Sequence, residues 1–191
     1  MAASKTGTGM ITFEGFEFSM RNITENDAHS IARHADNYNI WRNVRDLFPN
    51  PYTIDNALEF IKQAGEFEND IILGIESEGE IVGIIGLHSR PDVYKINMEL
   101  GFWLGEKYWG RGIMTAAVME IIKLGFGRED VKRIYAEVFE HNTGSCRVLE
   151  KAGFKREAIL KEAIEKDGII EDVYIYTQSR KDYFSKLTLN G

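Results

Sequence analysis

The sequence predicts an α/β (α+β) protein: a mixed sheet with helices on both sides. Three observations carry this. Segments of period-two and period-3.6 hydrophobicity follow one another in the order strand, helices, three strands, helix, strand, helix, two strands. The segment "KRIYAEVFE" is apolar on both of its faces, as a strand covered from two sides must be. No repeat, low-complexity tract or linker interrupts the chain between Phe16 and Ser185. We therefore expect residues 1–10 to be a disordered leader and residues 11–191 to be a single domain.

Each element has its own warrant. "FEFSMRNI" alternates as a strand, and Thr24 or Asn26 can cap a helix through "DAHSIARHADN", where Ala28, Ile31, Ala32 and Ala35 share a face. A helical turn is expected near "IWRNVRDLF". Thr53 can cap the helix that places Ile54, Ala57, Leu58 and Ile61 on one side. "DIILGIES", "EIVGIIGLHSR" and "INMELGFWLG" are β-branched or aromatic, and Glu78-Gly79 suits a hairpin between the first two. Ile113, Met114, Ala117, Val118, Ile121 and Ile122 give the following helix a broad apolar face, read as core. "NTGSCRVLEKAGF" is a short helix closed by Gly153, and "EKDG" separates the last two strands, "KREAILKEAI" and "IIEDVYIYTQS".

Composition narrows the function. The formal charge of −7 argues against general affinity for nucleic acid or an anionic membrane. The lone Cys146 excludes an intramolecular disulfide and suits a reducing cytoplasm. "IVGIIGL" is far short of the roughly 20 residues of a membrane span. His29, His34, His88 and His141 lack spacing suited to a metal, so no metal is expected.

One turn stands out. In "KYWGRGIMTAAVMEII" two glycines flank an arginine directly before a helix, which aims unpaired N–H groups and the positive end of the helix dipole at one spot, an anion seat. Read alone, the turn is equally a tight entry to a core helix. There is no Walker lysine, and the third glycine of a dinucleotide fingerprint is missing, although a nicotinamide-dependent oxidoreductase remains the nearest chemical rival.

Four stretches in their order, "RNVRDLFPNPYT", "ELGFWLGEKYWGRGIMTAAV", "RIYAEVFEHNTGSCRVLEKAGF" and "GIIEDVYIYTQSRKDY", resemble the GCN5-related N-acetyltransferases (GNAT), in particular their RimJ/RimL-like ribosomal-protein-alanine branch. The resemblance spans nearly the whole globular part. It implies the acyl-CoA N-acyltransferase fold, a mixed, mostly antiparallel sheet of about seven strands, and direct acetyl transfer from acetyl-CoA to a primary amine without an acyl-enzyme.

It also implies site residues. Trp109, Gly110, Arg111, Gly112, Ile113, Met114 and Thr115 would hold the pyrophosphate, with Trp109 and Met114 departing from the wider superfamily's turn. The backbone of Phe102, Trp103 and Leu104 would pair with pantetheine, and Asn142 with its amide. Ser145 would serve the coenzyme sulfur; the tyrosine that many relatives use one turn later is Leu149 here. Glu99 is the first candidate for the base, or else a carboxylate paired with a basic residue. Glu171 and Asp172 are candidates for binding the ammonium, while Arg42, Asn43 and Phe48 are candidates for the acceptor wall. Asn142 and Ser145 could equally be helix caps. Cys146 has no fixed histidine partner and reads as packing. The acceptor can be a protein N-terminus, a polyamine or a small amine, and the protein a monomer or homodimer. The alternative on the same fold is a non-catalytic acyl-CoA sensor.

Overall fold

The computed structural model describes residues 9, 11–13 and 15–189, so the expected leader lies almost wholly outside the described residues. The elements are β1 (Ile11–Phe13), β2 (Phe16–Arg21), α1 (Ala28–Ala35), α2 (Tyr38–Trp41), α3 (Ile54–Glu66), β3 (Ile71–Ser77), β4 (Glu80–Ser89), β5 (Asn97–Leu104), α4 (Ile113–Gly127), β6 (Arg133–Phe139), α5 (Thr143–Lys151), β7 (Lys155–Lys166), β8 (Ile169–Ser179) and α6 (Arg180–Leu189). The sequence reading locates seven of these strands; the three-residue β1 is an eighth, and α6 is a helix that reading does not contain.

The sheet order is β1-β2-β3-β4-β5-β6-β8-β7. All neighbours are antiparallel except β5 and β6, which are parallel. Each face buries its own core. On one, α4 and α5 cover Leu73, Leu87, Met98, Leu100, Ala136 and Val138; on the other, α1 and α3 cover Ile72, Ile81 and Ile84. Helix α4 is apolar nearly all round because it lies at the centre of the first core, with Ala117, Val118 and Ile121 fully buried. A fully buried aliphatic chain of that size stabilises the fold by about 1.5–3 kcal/mol. Thr53 caps α3 as expected, its hydroxyl accepting from the Asn56 N–H at 3.3 Å.

The feature that positions the site is the meeting of β5 and β6. Their ladder runs from Asn97–Arg133 to Glu99–Tyr135 and stops, although β5 continues to Leu104 and β6 to Phe139. β6 stays paired with β8, and β5 with β4, so beyond Glu99 the sheet splits into two arms.

Candidate active site

A cavity of about 660 Å³ opens at this split. It is lined by the end of β5, the turn into α4, the segment Asn39–Val44 and the start of α5. Its charged lining residues are Arg42, Arg111, Arg147 and Lys151, with no carboxylate among them. In a chain of net charge −7 that segregation marks a seat for an anion.

The glycine turn supplies the backbone part. Gly110 and Gly112 have φ of 73° and 74°, the left-handed region that a side chain makes costly. Gly112 is the N-cap of α4 and brings no side chain to the helix end. The first intrahelical bond is Ala116 N–H to Gly112 O, so the N–H groups of Ile113, Met114 and Thr115 are left facing the cavity they line. Arg111 lies over the Phe16 ring at 4.7 Å, its guanidinium charge held beside the turn.

The strand arm is more selective than the sequence reading has it. Gly105 N–H bonds Val82 O at 2.7 Å, which fixes the alternation along β5: Trp103 and Gly101 turn their backbone groups to β4, while Leu100, Phe102 and Leu104 turn theirs to the split. The expectation of pairing through Trp103 backbone is thereby corrected; Trp103 offers the cavity its side chain. Leu104 O accepts from the Trp109 indole N–H at 2.6 Å, which leaves the Leu104 N–H and both groups of Phe102. Trp109 thus bends the chain from strand to turn, a function absent from the phosphate-binding reading.

At the start of α5, Asn142 Oδ1 accepts from the Ser145 N–H at 3.0 Å, so the capping reading of Asn142 holds while its Nδ2 remains for a ligand. Ser145 lines the cavity, and Leu149, in the place of the relatives' tyrosine, is fully buried. Burial pushes the Cys146 thiol up, which keeps it from acting as a nucleophile.

His141 is the residue that sequence reasoning undervalues. Its Nδ1 meets Glu171 Oε2 at 2.5 Å, and its Nε2 is buried without a partner. Three buried polar atoms without partners, Asn43 Oδ1, Tyr108 Oη and His141 Nε2, belong to residues lining this cavity. Such atoms cost free energy unless a ligand or water satisfies them.

The acceptor-side candidates separate. Arg42 and Asn43 line the cavity. Phe48 does not; it packs on Tyr52 at 4.7 Å and Trp103 at 6.1 Å, holding Trp103 in place. Asp172 is occupied by Lys161 Nζ at 2.6 Å and the Glu162 N–H at 3.0 Å, away from the lining. Glu99, 9% exposed, is ion-paired with Arg45 and with Arg90 at 3.1 Å, and Tyr135 Oη lies 3.4 Å away. Both of its oxygens are engaged by guanidiniums and it is not among the residues that line the cavity, which favours the paired reading over the base.

The acetyltransferase (GNAT) domain family matches residues 18–155. The chain belongs to that family. It is similar to the uncharacterised N-acetyltransferase YoaA of Bacillus subtilis (strain 168), 27% identical over 83% of this chain and 90% of the relative. It is also similar to the ribosomal protein uS5-alanine N-acetyltransferase of Escherichia coli (strain K12), 26% identical over 86% of this chain and 88% of that one. The fold of Mycobacterium smegmatis RimJ, solved in complex with CoA-disulfide, superposes with TM-score 0.80 at 21% identity over 97% of this chain and 96% of that one. GNAT membership makes this protein an N-acetyltransferase. No helix among the described residues is long and apolar enough to cross a membrane.

Proposed function

We propose that the protein transfers an acetyl group from acetyl-CoA directly to a primary amine, in the manner of the RimJ/RimL-like branch. The observation that carries this is the cavity itself: a wall charged only with cations, uncapped N–H groups at a left-handed glycine turn, and strand backbone facing the split. These are the donors a pyrophosphate and an amide-bearing arm require. Bound acetyl-CoA supplies the acetyl thioester.

The chain's own residues do the rest. The turn from Gly110 to Thr115 and the cations Arg111, Arg147 and Lys151 hold the phosphates; Phe102 and Asn142 Nδ2 hold the arm. Ser145 Oγ donates its proton to the departing sulfur and regains one from the nitrogen that has formed the amide bond. With no carboxylate in the lining, His141, oriented by Glu171, is the side chain that takes the proton from the ammonium. Glu99, held by Arg45 and Arg90, closes the base of the split.

Thiol release measured over a panel of amines and peptides tests this. Release by the native protein, lowered about 100-fold in Ser145→Ala with CoA affinity retained, is the expected result for a lost proton donor. Tight CoA binding with no release for any amine would instead favour the sensor, whose support is the absent tyrosine at Leu149.

A further inference from the structure

Arg45 occupies an unusual place. It stands on the loop after α2, and its Nη2 bonds Glu99 Oε1 on β5 and, at 2.9 Å, Glu137 Oε2 on β6. Glu99 is the last residue of the β5–β6 ladder, and Glu137 lies two residues beyond its rung partner Tyr135, on the arm that has already diverged. A single guanidinium therefore bridges the two arms of the split. It does so on the sheet face shared with Trp103, the α1–α3 side, opposite the face that α4 covers.

The charge balance says what this contact means for an acceptor. Glu99 and Glu137 are matched by Arg45 and Arg90. A further cation entering beside them meets like charge; one entering in exchange for Arg45 leaves the balance unchanged. Exchange is sterically open, because the Arg45 side chain is 55% exposed and lies on a loop, while Arg90 and Tyr135 stay with Glu99. The neighbouring Asn43 and Val44, on the same loop, line the cavity.

We propose that Arg45 is a specificity-determining residue for the acceptor: its guanidinium holds, between Glu99 and Glu137, the place that a cationic group of the acceptor takes by displacing it. This rests on the amine-acetylation reading above and deepens it. The nitrogen that attacks a thioester must be neutral, whereas a group held between two carboxylates is kept charged. The displacing group is therefore a second cation, and the favoured acceptor class is an amine bearing another positive charge, such as a diamine.

The test is calorimetric titration of 1,3-diaminopropane and of n-propylamine into protein saturated with CoA, so that no turnover occurs. The native protein should bind the diamine about tenfold or more tighter than the monoamine, the scale of one charge-assisted contact. Arg45→Ala and Arg45→Gln should tighten diamine binding about fivefold and leave the monoamine unchanged, and Glu137→Gln should weaken the diamine alone. Unchanged CoA affinity and melting temperature confirm that each variant is folded. Weaker diamine binding in both Arg45 variants, or no preference for the diamine in the native protein, overturns the proposal. Failure of the native protein to bind CoA would overturn the acetyl-transfer reading instead.

Discussion

His34 shows how one side chain ties the fold to pH. Its ring is buried against Tyr108, 5.7 Å between centroids, with Gly105 packed so closely that a Cβ there would lie 3.2 Å from the imidazole. Burial lowers its pKa below the ordinary 6.5, against the raising effect of Glu80 and with the help of Lys107 and Arg33. Because the folded state resists the proton that the unfolded chain accepts, His34's contribution to stability is complete above pH 6.5 and is lost as pH falls below it. Melting temperature recorded from pH 7.5 to 5 should fall less steeply in His34→Gln than in the native protein. At this scale the sequence is a good guide where a residue's role is local. The glycines of "GRG" are legible because a tight turn needs left-handed backbone, and Asn142 because a cap lies three residues from its donor. The His141–Glu171 contact is not, since the partners are 30 residues apart and meet only once β8 is laid beside β6. In sequence Glu99 stays open between a base and a carboxylate paired with a basic residue, because nothing local announces Arg45, 54 positions earlier.

At the scale of elements, the entry to α4 is the part most sensitive to change. Valine at Gly112 must adopt φ near 74°, which costs a β-branched residue roughly 1–3 kcal/mol, and its side chain would project from a residue that lines the cavity. Gly112→Val should lose the thermal stabilisation that CoA gives, by far more than the melting temperature of the free protein drops. A thermal-shift titration separates the two effects. Strands and amphipathic helices are legible because their periods are written in the chain: α1 buries Ala28, Ile31, Ala32 and Ala35, as their spacing requires. The parallel pairing of β5 and β6, and therefore the split, is a relation between elements that no period encodes. Helix α6 escapes for another reason: its sequence, RKDYFSKLTL, has no dominant apolar face to announce it.

Across the whole molecule, the loop bearing Arg45 is fastened to the far edge of the sheet. Lys166, at the end of β7, has a side chain only 3% exposed; its Nζ lies 2.5 Å from Asp46 and 3.8 Å from the centre of the Trp41 ring. Tyr38 Oη donates to Asp167 Oδ2 at 2.6 Å one residue further on. The β7–β8 hairpin thus anchors the segment that closes one side of the cavity, across 120 residues of sequence or more. A cation–π contact of this kind, desolvated, is worth about 2 kcal/mol. Lys166→Ala should release the 38–48 segment, seen as faster amide hydrogen exchange there, while exchange in α4 stays slow. Persistence of native protection over 38–48 would show that its other contacts, Arg45 with Glu99, Tyr38 with Asp167 and Phe48 with Tyr52, hold it without Lys166.

The placement of the tryptophans gives the cavity an optical property. Of the three in the chain, Trp103 and Trp109 line the cavity and Trp41 stands between Ile40 and Arg42, which line it. Their shared location means that the intrinsic fluorescence of the unlabelled protein originates almost entirely at the active site. Adenine and thioester ligands should quench or shift that emission as they bind, so occupancy and its kinetics can be followed by stopped flow without a reporter dye.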